Sequence, residues 1–174
     1  MVGREFSHDN EWQLRMKERL LVPYYLEMIL KERVSGFYFS RTPEDETHGD
    51  THLRFLDGSR LSIEEKIVRW PGYDYQAITL ETMSCTVPGR ERPGWMQTAD
   101  YNRLWHVKVS FDELSAKVVD IDFAKLQRWF WRQDFSRWKV YVSDQINKTR
   151  CLVVPYKDIP YIDRQFELAA QRCA

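Results

Sequence analysis

The chain has 174 residues, enough for one compact domain and too few for two independent ones. Apolar residues make up 43% of it and charged residues 30%, which excludes a disordered chain. Lys plus Arg and Asp plus Glu are equal at 26 each, so net basicity does not announce a nucleic-acid binder, and any such groove must gather its basic charge locally.

The chain opens without the apolar run of a secretory leader. No stretch approaches the ~20 apolar residues of a spanning helix, so no membrane partner is expected. From Trp12 to Arg33, Leu14, Leu21, Tyr25, Met28 and Ile29 approximate a helical period. Pro23 interrupts it, and a break or kink is expected near Leu21 and Val22. Gly36 ends the segment, and Phe37 to Phe39 reads as a first strand. Ser40 to Gly49, SRTPEDETHG, reads as a loop that carries Glu44, Asp45 and Glu46 ahead of Asp50.

Thr51 to Trp70 alternates apolar and polar residues on either side of Asp57-Gly58, a β-hairpin signature. Ala77 to Met83 supplies another strand, and Thr86 to Gly94, TVPGRERPG, a loop. Leu104 to Val109 and Lys117 to Ile121 read as strands. Phe123 to Gln133 reads as an amphipathic helix with Phe123, Leu126 and Phe130 on one side. Trp138 to Val142 and Cys151 to Val154 are short strands, and the tail from Asp158 is expected to end in a helix through Phe166 and Leu168. This order predicts one α+β domain spanning the chain, with a mixed sheet flanked by helices. No GxGxxG or GxxxxGKS/T loop is present, so nucleotide cradles of those types have no support.

Cys85, Cys151 and Cys173 form no CxxC pair and no tight Cys/His cluster, which argues against a structural zinc site. An odd, sparse set also argues against a disulfide-built secreted scaffold, so a reducing cytoplasmic setting is expected.

The hairpin can be tested for register. Leu53 and Phe55 are apolar on its first strand, Leu61 and Ile63 on its second, and directly opposed residues share a face. A two-residue Asp57-Gly58 loop would set each apolar set against the other strand's polar set. A three-residue loop with Gly58 at positive φ removes the conflict, opposing either Phe55 or Leu53 to Leu61. Both choices put Leu53, Phe55, Leu61 and Ile63 on one face. By parity the other face carries Asp50, His52 and Arg54, then Ser62, Glu64 and Lys66. Asp50, Glu64 and Lys66 therefore converge at one end, unless a bulge intervenes. Two carboxylates can hold Mg²⁺ through oxygen, with water and substrate phosphate completing the octahedron. A lysine beside them can orient water or offset transition-state charge. The bland counterpart is an edge strand showing charge to water.

These residues resemble the PD-(D/E)xK nuclease superfamily. The likeness rests on GDTHLRFLDGSRLSIEEK, Gly49 to Lys66: an acidic residue at a strand start, a hairpin, then E-x-K on the next strand. Ile78 to Ser84, ITLETMS, and Pro93 to Trp105, PGWMQTADYNRLW, also resemble small nuclease-like proteins of phages and prokaryotes. The resemblance implies a restriction-endonuclease-like core. It also implies metal-dependent hydrolysis of DNA phosphodiesters, with Asp50 and Glu64 binding Mg²⁺ or Mn²⁺ and Lys66 supporting the attacking water. The motif's proline is absent before Asp50, where Gly49 stands. Glu65 occupies a position that is usually apolar and leaves Glu64 and Glu65 as alternatives, with parity favouring Glu64.

Asp45 and Glu81 are candidates for a further metal ligand, each set against a structural or solvated role. Arg90, Arg92, Arg103 and His52 are candidate phosphate contacts. Trp129, Trp131 and Trp138, with Arg128, Arg132, Arg137 and Lys139, form a basic aromatic region that could rim a nucleic-acid groove or a dimer interface. Trp131 lies off the Leu126–Phe130 stripe and is the one expected to be exposed. Two other readings stand beside the nuclease: an inactive nuclease fold that binds nucleic acid or protein, and a structural or assembly component, with a homodimer as a further expectation.

Overall fold

A computed structural model describes residues 11–40, 48–69, 75–142 and 147–170. Residues 11–16 are α-helical, Lys17–Leu21 is a π turn, and Val22–Leu30 is α-helical again; together they form α1. Pro23 gives a physical reason for the π turn. Its ring has no N–H to donate and crowds the carbonyl one turn back. In the wider turn the Val22 N–H reaches Lys17 O, so the helix passes through the place where a break is expected. Met16, Leu20, Leu21 and Tyr25 form its buried stripe.

The strands are β1 (Gly36–Phe39), β2 (Thr51–Arg54), β3 (Arg60–Val68), β4 (Ala77–Cys85), β5 (Arg92–Pro93), β6 (Arg103–Val109), β7 (Ser115–Asp122), β8 (Lys139–Val142), β9 (Arg150–Pro155) and β10 (Ile162–Ala169). Helix α2 (Trp95–Thr98) is a single turn and α3 is Phe123–Phe130. A six-stranded sheet runs β1-β2-β3-β6-β7-β10; β3 and β6 are parallel and the other neighbours antiparallel. A four-stranded antiparallel sheet runs β5-β4-β9-β8.

Ile63, Ile67, Trp105, Val107, Ala116 and Val118 of the central sheet pack against α1. On its opposite face Leu104, Val119 and Ile121 pack against Ile78, Leu80, Leu152 and Val154 of the second sheet and against Phe123, Leu126 and Phe130 of α3. Burial on both faces explains why β6 and β7 carry so few exposed positions. Asp122 caps α3 by accepting from the Lys125 N–H at 3.0 Å. The fold is thus α+β, a mixed central sheet with flanking helices and a second sheet behind it.

The tail corrects the sequence expectation. Ile162–Ala169 is a strand, not a helix, and pairs antiparallel with β7, with Phe166 opposite Val118 and Leu168 opposite Ala116. Its apolar residues alternate with Gln165, Glu167 and Ala169 at the period of a strand, and β7 offers an unpaired edge. Cys85 and Cys151 are buried and form no disulfide with a described residue, and Cys173 lies outside the described residues. Among the described residues no helix is long and apolar enough to cross a membrane.

Candidate functional site

The hairpin takes one of the two expected registers, Leu53 opposite Leu61 and Thr51 opposite Ile63. Phe55 N–H donates to Ser59 O at 2.9 Å, which closes a three-residue loop of Leu56, Asp57 and Gly58, with Gly58 at φ +83°. Leu53 and Ile63 are buried toward α1. His52 and Ser62 are opposed on the other face, the one that Glu64 and Lys66 continue.

Asp50 sits just before β2. Its Oδ2 accepts the backbone N–H of Glu65 at 2.9 Å, and its carbonyl accepts Ser40 N–H at 3.0 Å, so it is pinned between β1 and β3. Gly49 makes this approach possible. It has φ +105°, and a Cβ there would lie 2.9 Å from the Ile63 carbonyl oxygen. Proline, fixed near φ −65°, cannot adopt that conformation, which explains its absence before Asp50.

Glu64 and Glu65 separate across the sheet. Glu65 faces α1, where Lys17 pairs with it, the Tyr25 hydroxyl donates to it, and Thr51 Oγ1 donates at 2.7 Å. It fastens the helix to the hairpin. Glu64 faces the other way, 8% exposed, with one carboxylate oxygen on the Lys66 ammonium. Burial raises the Glu64 pKa above its ordinary value; Lys66 opposes this and Asp50 adds to it. For Lys66, burial acts to lower the pKa. The charge and hydrogen bond of Glu64, with the charges of Asp50 and Glu81, outweigh it and raise the value. Lys66 therefore stays an ammonium and lies 5.4 Å from the centre of the Trp95 ring. This cation is suited to stabilising negative charge and unsuited to acting as a base.

Glu81 enters from the second sheet, beside a bulge between Glu81 and Met83 in the β4–β9 ladder. Gly94, at the start of α2, lies against it. A Cβ on Gly94 would stand 2.5 Å from the Glu81 carbonyl oxygen, and Gly94 N–H donates to Thr82 O at 3.0 Å. The Gly94-Trp95 pair thus has a mechanical meaning: glycine permits contact with β4, and tryptophan then reaches Lys66. The buried Tyr101 hydroxyl has no hydrogen-bond partner among the described residues. Burial, then the charges of Glu64, Asp50 and Glu81, hold its pKa well above the ordinary value, so it remains a proton donor. Asn102 secures the same corner: its Oδ1 accepts Ser62 N–H at 2.9 Å, and its own N–H donates to Ser62 Oγ at 3.0 Å.

No family model matches the chain, and neither a curated protein nor a solved structure is significantly similar to it.

The charges of Asp50, Glu64 and Glu81 thus all act on Lys66 and on Tyr101, and Trp95 lies beside Lys66. Among the described residues, no group of three or more His, Cys, Asp or Glu is arranged to hold a metal ion. His52 borders the site, stacked on Tyr38 with ring centroids 4.6 Å apart and 3.0 Å from Ser40 Oγ. Arg90 and Arg92 are exposed on the β4–β5 turn and on β5. Arg103 is placed elsewhere: it shares the Trp105 side of β6 and is held by Asp120 at 2.8 Å and Asp163 at 2.5 Å. Asp45 lies outside the described residues. The sequence by itself singles out neither Tyr101 nor Trp95 for this site. Their roles depend on the bulge at Glu81 and the contact at Gly94, neither of which leaves a local pattern.

Proposed function

We propose that the chain is a metal-dependent nuclease that hydrolyses DNA phosphodiesters, built on a restriction-endonuclease-like core. The observation that carries this reading is the pairing of Glu64 with Lys66 on one face of β3, with the charge of Asp50 acting on both and Glu65 turned to the other face. The donors fit a hard cation in type. One oxygen of each carboxylate is spent, Asp50 Oδ2 on the Glu65 amide and Glu64 Oε1 on Lys66. Asp50 Oδ1 and Glu64 Oε2 are what the pair can offer. Two carboxylates suffice for Mg²⁺ or Mn²⁺ when water and substrate phosphate supply the remaining ligands.

When bound, such an ion supplies Lewis acidity at the phosphate and a water of lowered pKa. The protein's own part is positional and electrostatic. Asp50 and Glu64 would hold the cation. Lys66, kept protonated, offsets charge growing on the phosphate oxygens. Tyr101, kept protonated, has a hydroxyl to donate within reach of the same charges.

The test is a divalent-metal screen over single-stranded, double-stranded and branched DNA, with Lys66→Ala as control. Expected are cleavage that requires Mg²⁺ or Mn²⁺ and its loss in Lys66→Ala, with an unchanged circular dichroism spectrum. Cleavage that persists in Lys66→Ala removes Lys66 from the chemistry. No cleavage by the purified wild-type protein favours the inactive nuclease fold.

A further inference from the structure

A shallow groove of about 410 Å³ is lined by Gln97, Gln127, Arg128 and Trp131. Trp131 is 41% exposed. It is also held in place. Its Nε1–H donates to Met96 O at 3.1 Å, and its ring packs edge-on against Phe130 and Phe135 with centroids 5.1 and 5.6 Å away. The two amide side chains are oriented as well. Gln127 Nε2 donates to the same Met96 O at 3.0 Å, and Gln97 Nε2 donates to Thr82 O at 2.9 Å. Gln127 Nε2 also donates to Ala99 O at 3.4 Å, so both amides are fixed by backbone carbonyls where they line the groove. Arg128 and Arg132 are exposed on this side of α3 and its end, and Arg128 lines the groove itself.

The groove is joined to the candidate centre through α2. Met96, which anchors Trp131 and Gln127, follows Trp95, the ring beside the Lys66 ammonium. Thr82, which anchors Gln97, follows Glu81, whose charge acts on Lys66. Trp131, Gln127 and Gln97 are therefore fixed on the same two segments that carry Trp95 and Glu81.

We propose that this groove takes an unpaired base of a single DNA strand, stacked on Trp131 with its backbone on Arg128, and so makes single-stranded or locally opened DNA the substrate. This rests on the nuclease reading for what happens at Lys66. A pre-oriented ring binds bases without needing sequence, since every base has a π face, and an arginine beside it follows the backbone charge. A stacked base inside duplex DNA does not offer that face, so the site discriminates against duplex.

The test measures binding by fluorescence anisotropy in EDTA, which separates binding from cleavage. The probes are a ~20-nucleotide deoxythymidylate, the matching duplex and the ribo-oligomer. Trp131→Ala is expected to weaken single-strand binding by roughly 5- to 100-fold, the range that base–aromatic stacking carries. Trp131→Phe should retain much of the affinity, and Arg128→Ala, at an exposed position, should flatten the salt dependence. Duplex binding should not change in any variant. Equal single-strand affinity in wild type and both Trp131 variants overturns the site, as does wild-type protein that ignores the single strand. Duplex bound as tightly as single strand overturns the substrate class, and tighter binding of the ribo-oligomer overturns the assignment to DNA. Binding that depends on Trp131 without any cleavage by wild type sinks the nuclease reading and leaves this one standing. Cleavage untouched by Trp131→Ala does the reverse.

Discussion

Glu64 holds a carboxylate whose ionisation burial resists, and whose neighbour Asp50 adds to the resistance. A carboxyl with a raised folded pKa stabilises the protein below its unfolded value, and that stability is lost as pH rises through the folded value. A cation on Asp50 and Glu64 favours the ionised form, so its stabilising effect should be absent in acid and grow as pH rises through the Glu64 titration. At a hundredfold excess over Kd the gain should be about 2.7 kcal/mol, read as the shift of thermal midpoint with and without Mg²⁺ across pH. Glu64→Gln should remove that shift; a full shift in the variant would place the ion elsewhere. Gly49 is the second residue on which the site turns. Gly49→Ala adds a Cβ 2.9 Å from a backbone oxygen at φ +105° and should cost about 3 kcal/mol in urea unfolding.

At the scale of elements, the same substitution in the hairpin loop has a smaller effect. Gly58 has φ +83° but nothing within 4 Å of a Cβ, so Gly58→Ala should cost only about 1 kcal/mol. A larger loss than in Gly49→Ala would contradict the registry of β2 and β3. The hairpin was legible in the sequence because alternation and an Asp-Gly turn are local signals, and Leu53 opposite Leu61 follows from burying both apolar sets. Helix α1 was legible for the same reason, although Pro23 is absorbed by a π turn that periodicity does not reveal. Strand β10 was misread because its identity comes from β7, more than a helix's length away in the chain. Leu168 is 5% exposed in the α1 core, so Leu168→Ala should destabilise by about 2–4 kcal/mol. Hydrogen exchange should show protection alternating along 162–169 as in a strand edge, rather than over consecutive amides as in a helix.

Across the whole molecule, the space between the two sheets carries a polar group that ties stability to acid. His106 is buried and hydrogen-bonded to the Tyr156 hydroxyl, and burial, aided by Lys108, lowers its pKa to about 3. Lys108 is itself 2% exposed, with its ammonium donating to Tyr75 O at 3.0 Å and lying 5.1 Å from the Tyr156 ring centre. A lowered folded pKa means stability that is complete above the ordinary value of 6.5 and is lost as pH falls toward about 3. Glu64 and Glu65, both raised, act in the opposite direction. His106→Phe should therefore move the acid-unfolding midpoint, followed by circular dichroism, to lower pH. An unmoved midpoint would place the acid sensitivity in other groups.

By itself the sequence determined which residues share a face of the hairpin, because strand parity and apolar burial leave His52, Ser62, Glu64 and Lys66 on the side away from Leu53 and Ile63. It also assigned the α+β class and marked Trp131 as the exposed ring of α3's end. Tertiary structure alone decided what surrounds that face. The pairing of Glu65 with Lys17 and Tyr25, the approach of Glu81 from a second sheet and the turn of Arg103 toward Asp120 all depend on segments far apart in the chain. Such contacts are selected by the packing of whole layers, and layer packing leaves no periodic trace in any one segment.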